Sequence, residues 1–184
     1  SSTEAATGTK PWRVHFERCS QPGDWSAVAH WSRSTPADDT LPLNAIQPAL
    51  VDHGAGRLAA YARTREGVVA RTESSDDGRS WSPLRPAQPR QANPNSGLDA
   101  LLLPAGQTVL VLNPGPHRLQ LDAVLLAADS HAWSSLIRID EVTRGEVSYP
   151  SAIFDSEQGV PVLRVSYTRN RREIILRTFT LSGL

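Results

Sequence analysis

Residues 74–81 read Ser74-Ser75-Asp76-Asp77-Gly78-Arg79-Ser80-Trp81, and no other stretch of the chain constrains the fold as tightly. The pattern S-x-D-x-G-x-x-W is that of a β-hairpin turn. Asp76 is placed to accept backbone N–H groups across the turn. Gly78 supplies a positive φ that other residues resist. Trp81 opens the next strand with an indole that must be buried against a neighbouring hairpin. The segment carries no catalytic group, but it demands antiparallel strands on both sides. A buried Trp81 and an Asp76 that accepts backbone N–H bonds are therefore expected.

Two weaker copies suggest a repeat. Trp25-Ser26, Trp81-Ser82 and Trp133-Ser134 each follow a turn-rich stretch, 56 and 52 residues apart. The first copy, residues 19–25, keeps the glycine and the tryptophan; the third, residues 128–133, lacks the glycine. Fixed periods of this length mark repeated supersecondary units.

Between these turns the chain alternates apolar and polar residues or runs apolar for four to eight positions, the signals of half-buried and fully buried strands. Strands are expected near residues 12–18, 25–32, 45–51, 57–64, 68–73, 81–84, 98–103, 108–112, 119–127, 133–139, 148–154, 160–168 and 173–181. Turns are expected at 52–56, 104–107, 113–116, 155–159 and 169–171. Fourteen prolines and twelve glycines punctuate this pattern. No segment sustains helical periodicity, so the fold class is all-β, in four strand groups at 12–32, 46–84, 98–139 and 148–181. Residues 1–11 read as a small, polar, flexible lead-in.

Bulk properties exclude several functions. Nineteen basic residues balance nineteen acidic ones, which argues against a nucleic-acid partner. No apolar run approaches the ~20 residues of a membrane span. The single Cys19 can form no internal disulfide, and His53 and His117 stand isolated, so no metal site or cofactor is expected. The chain holds no methionine, even at position 1. The numbering is therefore expected to begin after processing or cleavage, such as removal of a signal peptide, which favours a secreted or periplasmic location.

The turn at 74–81 is the Asp-box signature. Together with Ile46-Gln47-Pro48-Ala49-Leu50-Val51, residues 57–63, Asn93-Pro94-Asn95-Ser96-Gly97-Leu98-Asp99 and Val147-Ser148-Tyr149-Pro150-Ser151-Ala152, it resembles the sialidase-like BNR/Asp-box superfamily of predicted neuraminidases over residues 12–182. The resemblance implies a six-bladed β-propeller of which this chain supplies about three blades. Residues 46–84 and 98–139 would be whole blades, 12–32 a half blade and 148–181 an incomplete one. Open sheet edges at both ends imply that the remaining blades come from an N-terminal half of the same protein or from a second copy.

The resemblance also implies a site. Sialidases grip a substrate carboxylate with three arginines, whose planar forks match it with two parallel bonds, and attack with a tyrosine activated by a glutamate base. Arg63 matches the second arginine, Arg118 the third, and Tyr149 the nucleophile. Gln47 stands where the glutamate base belongs, and an amide cannot act as that base; Glu146, close to Tyr149, is the substitute candidate. Asn95 and Asp99 are candidate substrate contacts, although their polar stretch also reads as a turn. The first arginine and the acid/base aspartate would lie upstream of Ser1. The implied partner is a carbohydrate with an acidic group. The implied function is that of an exo-acting glycosidase, with a non-catalytic glycan- or protein-binding propeller as the alternative.

Overall fold

The computed structural model describes residues 2–3, 11–21, 23–24, 26–37, 43–127 and 132–181. Fifteen strands appear among them: β1 (Ser2–Thr3), β2 (Arg13–Val14), β3 (Phe16–Cys19), β4 (Trp31–Ser34), β5 (Ala45–Asp52), β6 (Leu58–Thr64), β7 (Val69–Ser74), β8 (Arg85–Pro86), β9 (Asp99–Leu102), β10 (Thr108–Leu112), β11 (Gln120–Leu126), β12 (Ser134–Glu141), β13 (Val147–Glu157), β14 (Val160–Arg169) and β15 (Glu173–Thr180). The only helical element among the described residues is a three-residue 3-10 turn, Val28–His30.

The strands form antiparallel meanders in sequence order. Two sheets have four strands, β5-β6-β7-β8 and β9-β10-β11-β12; one has three, β13-β14-β15; and β3-β4 and β1-β2 are pairs. No sheet closes on itself. The pairing of Ser2–Thr3 with Arg13–Val14 places part of the expected lead-in within a sheet.

Alternation along the middle strands explains how the sheets stack. On β6, Ala60 and Ala62 face a cluster with Val14, Phe16 and Trp81, whereas Ala59 and Tyr61 face one with Leu98, Leu110 and Leu112. On β10, Leu110 and Leu112 join that second cluster, while Val109 and Val111 meet Val147, Leu163, Val165 and Tyr167 of the last sheet. Each middle sheet thus buries both faces, which is why its strands read as continuous apolar runs. Among the first strands, β9 lies against both β5 and β13. A polar tie reinforces the last interface, where the buried Tyr167 hydroxyl donates to Asp140 at 2.6 Å.

The turn at 74–81 sits between the third and fourth strands of its sheet. Asp76 accepts the Ser80 N–H at 2.9 Å and the Ser80 hydroxyl at 2.6 Å, and the Ser74 hydroxyl donates to it at 2.8 Å. Those bonds, the Ser80 hydroxyl first, hold the Asp76 carboxyl down at about 2. Gly78 adopts φ +76°. Trp81 is 5 % exposed and stacks on Phe16 of the preceding sheet, with ring centroids 3.7 Å apart.

Three strand boundaries differ from expectation. The fourth strand of this sheet is Arg85–Pro86 rather than 81–84, because Trp81 turns aside to bridge Pro36 while its indole reaches Phe16. The partner of β3 begins at Trp31, after the 3-10 turn, rather than at 25. Strand β13 runs on to Glu157, where Arg164 of the adjoining strand pairs with both Asp155 and Glu157. The weaker turn copies include Pro22, Trp25 and residues 128–131, which lie outside the described residues.

Candidate functional site

The start of β13 breaks its register with β14 between Ser148 and Ser151. Tyr149 lies in that break with φ +54°, a conformation that a bulky residue before proline resists. A break of this kind re-aims a side chain out of the pleat. Tyr149 is 42 % exposed as a result. The same device recurs on β5, where the register with β6 shifts between Ile46 and Ala49 and Gln47, also before a proline, has φ +54°. Asn95, ahead of β9, has φ +54° as well.

Two arginines from different sheets meet over the Tyr149 ring. Arg63, near the end of β6, brings its guanidinium carbon within 5.9 Å of the ring centroid, and Arg118, just before β11, within 5.4 Å. Arg63 is 7 % exposed, and its Nε has no hydrogen-bond partner. Its other side faces Trp12 at 5.5 Å, and Arg65 covers the same indole at 4.2 Å. Arg118 is held from below, its Nη2 donating to the Asn95 carbonyl at 2.7 Å. Burial pushes the Tyr149 phenol up, but the donor groups and positive charge of Arg118 and Arg63 outweigh this and hold it below its ordinary value.

Glu146 is engaged by three neighbouring groups. Its carboxylate accepts Arg171 Nε at 2.7 Å and the Ser148 hydroxyl at 3.1 Å, and lies 3.6 Å from Arg118 Nη1. The bond from Arg171, foremost, holds its pKa below the usual carboxylate value. A carboxylate stabilised in this way is a weaker base, and it joins Arg171 to Arg118.

Asp99 is committed to the fold. One oxygen accepts the Ala152 N–H at 2.7 Å and the other its neighbour's, Ala100 N–H, at 2.9 Å, which ties β9 to β13. Its burial raises its pKa. Asn95 contributes its backbone carbonyl rather than its amide, and the buried amide oxygen has no partner. Gln47 is exposed beside Ile46, the partner of Arg63 in the ladder, and its side chain makes no hydrogen bond to another described residue. The geometry therefore brings Arg63, Arg118 and Tyr149 together, places Glu146 behind Arg118, and turns Asp99 to structure.

Three further residues build the site without having stood out in the sequence. A Cβ at Gly97 would lie 2.9 Å from Tyr149 Cδ1, so the ring rests directly on the Gly97 backbone. Trp12 backs Arg63. Arg171 belongs to a basic run, residues 169–172, whose composition alone reads as a solvated turn. The glycine had a signal, its place in the Asn93–Asp99 motif; the other two depend on contacts between sheets. No cluster of three or more histidine, cysteine or acidic residues able to hold a metal occurs among the described residues, and no helix among them is long and apolar enough to cross a membrane.

Residues 2–162 match the family model described as the BNR repeat-like domain, and the chain belongs to that family. Within it the fold is sialidase-like. An intramolecular trans-sialidase from Ruminococcus gnavus, solved with oseltamivir carboxylate, superposes with a TM-score of 0.60 at 17 % identity over 84 % of this chain. The NanB sialidase of Streptococcus pneumoniae superposes with a TM-score of 0.55 at 16 % identity over 79 %. A leech intramolecular trans-sialidase gives 0.53 at 17 % over 83 %. The chain spans 36 %, 24 % and 26 % of those three proteins, respectively. A search of curated protein sequences finds no match.

Proposed function

We propose that this chain supplies part of a six-bladed propeller whose central site binds the acidic end of a glycan, and that the complete protein is an exo-acting glycosidase. The supporting observation is the meeting of Arg63 and Arg118, from two sheets, over the ring of Tyr149. In this reading the two forks take the carboxylate of the sugar and Tyr149 attacks its anomeric carbon. Gln47 cannot remove the phenol proton. The two guanidiniums, by lowering the phenol's pKa, raise the fraction of phenolate and take over part of the base's work. Glu146 serves by holding Arg118. Gln47, and Asn95 through its carbonyl, frame the bound sugar, while Asp99 keeps β9 and β13 in register. The four-stranded sheets at 45–86 and 99–141 are whole blades, and the groups at 12–34 and 147–180 are parts of blades completed by an N-terminal half of the same protein or by a second copy.

The test is turnover by the full-length protein on fluorogenic sialosides and uronic-acid glycosides. Turnover that rises with pH toward the phenol's pKa and is abolished in Tyr149→Phe is expected. No turnover would overturn the catalytic reading. A second reading, a non-catalytic glycan-binding propeller, draws on the amide at position 47 and on the engagement of Glu146 with two arginines. It expects Tyr149→Phe to leave binding of the acidic sugar intact.

A further inference from the structure

The Arg118 side of the site does not end at Arg118. An open cleft lined by Pro94, Pro116, His117, Arg118 and Leu119 shares one wall, Gly145–Glu146, with a second cleft lined by Arg144, Asn170, Arg171, Arg172 and Glu173. The two clefts are joined through one carboxylate. Glu146 Oε1 accepts Arg171 Nε at 2.7 Å, while its Oε2 lies 3.6 Å from Arg118 Nη1. Both guanidiniums thereby bear on the same anion, and Arg171 Nη2 also reaches its Oε2 at 3.5 Å.

The second cleft is built rather than incidental. Asn170 N–H donates to the Glu146 carbonyl at 2.8 Å, and Glu146 N–H donates back to the Asn170 side chain at 3.1 Å. A Cβ at Gly145 would fall 2.0 Å from the Asn170 Oδ1, so the two turns are locked backbone to side chain. Arg171 holds φ +53°, which glycine or asparagine adopts with less strain. A turn needed only to reverse the chain would place a glycine there. An exposed ion pair with Glu146 returns little for that strain, since the Arg171 side chain is 71 % exposed.

The charge is not balanced either. Arg144 and Arg172 are exposed, and their side chains have no ion-pair or hydrogen-bond partner among the described residues. With Arg118 included, the two clefts carry four arginines against two glutamates, and Glu146 is already shared between two of the arginines. Uncompensated guanidiniums fixed in a cleft are an anion site, and their planar forks suit a carboxylate or a sulfate.

We propose that Arg171 and Arg172, with Arg144, form a second anion subsite one carboxylate beyond Arg118, and that the ligand of this protein is a glycan with acidic groups on two adjoining residues. This rests on the proposed binding of an acidic sugar at Arg63 and Arg118. The terminal carboxylate sits over Tyr149, and the carboxylate or sulfate of the next sugar lies against the turn at 170–172.

Calorimetric titration of the full-length protein tests it. The probes are N-acetylneuraminic acid and glucuronic acid, the dimer of each, and a disaccharide of each whose second residue is sulfated rather than carboxylated. A second acidic group held by a charge-assisted bond is expected to tighten binding about tenfold, the equivalent of about 1.4 kcal/mol. Substitution of the two arginines whose side chains have no partner among the described residues, R144A/R172A, should erase most of that advantage and leave monoacid affinity within about twofold of the parent. R172A alone removes no side-chain contact to a described residue, keeps the turn's backbone ties, and should lose part of the advantage. A larger effect on the sulfated than on the dicarboxylate probe would name sulfate as the second group, and the reverse would name carboxylate. Diacids no tighter than monoacids, or an advantage kept in full in R144A/R172A, would overturn this inference and leave monoacid binding standing. No binding of any acid would overturn both.

Discussion

The turn at 74–81 and the cluster around Tyr149 are both held by polar groups, but in opposite ways. In the turn every hydrogen-bond partner of the Asp76 carboxylate is local. Ser74, Asp76 and Ser80 satisfy one another within seven residues, and what reaches outside is the Trp81 indole, stacked on Phe16, and backbone groups bonded to Ser34, Ala37 and Gly56. Around Tyr149 the groups that touch the ring are remote. Arg63, Gly97 and Arg118 come from three separate stretches of chain, and the two guanidiniums keep nitrogens without a hydrogen bond. A closed local network stabilises and is finished. A remote network with unsatisfied donors stores binding capacity, because a ligand can supply what the protein leaves unpaired.

Substitutions can break this contrast. The largest effect is expected for Trp81→Ala, which removes a buried indole stacked on another sheet. A loss of about 3–5 kcal/mol in stability to urea is expected, with acidic-sugar affinity of the remaining folded protein unchanged. A fall in affinity at full folding would show that the two regions are coupled. Gly97→Ala comes next. Its Cβ at 2.9 Å from Tyr149 Cδ1 must displace the ring or the backbone, at a cost of about 1–3 kcal/mol. Because the ring would leave the two guanidiniums, ultraviolet titration should find the Tyr149 phenol moved back up toward its ordinary value. An unchanged phenol would mean that the arginines are not what lowers it.

The smallest effect sharpens the comparison from the side of the turn. The carboxyl of Asp76 sits at about 2 in the folded protein against a reference of 3.8. Its contribution to stability is therefore fully present above the unfolded value and is lost as pH falls from about 4 to about 2. Asp76→Asn should flatten the stability curve in that window alone, as followed by urea midpoints at several pH values. A parent and variant with parallel curves there would contradict the bonding described for the turn.

The same contrast explains what the sequence disclosed. The all-β class was legible because alternation and turn chemistry are local, and the motif at 74–81 announced that Asp76 accepts backbone N–H, which proves to be that of Ser80. Strand ends were missed where a long-range contact decided them, as where Trp81 leaves its strand to meet Phe16. At the site, the resemblance pointed to Arg63, Arg118 and Tyr149, which the structure brings together. It offered Glu146 as a substitute base, and neither its bond from Arg171 nor its ion pair with Arg118 is visible from spacing along the chain. It offered Asp99 as a substrate contact, and the N–H groups of Ala100 and Ala152 that its two oxygens accept are equally hidden from the sequence. Trp12 lies 51 residues before Arg63, and nothing local announces that its ring backs that guanidinium.

The central claim is that Arg63 and Arg118, brought together over Tyr149 from separate sheets, bind the acidic end of a sugar. Calorimetric titration of the full-length protein and of its Arg63→Ala variant with N-acetylneuraminic acid and with glucuronic acid tests it most directly. The account predicts that the parent binds at least one of the two and that the variant binds it more weakly by about 1.5–3 kcal/mol, the range for a hydrogen bond to a charged group. Equal affinity in parent and variant, or no binding by the parent, would contradict it.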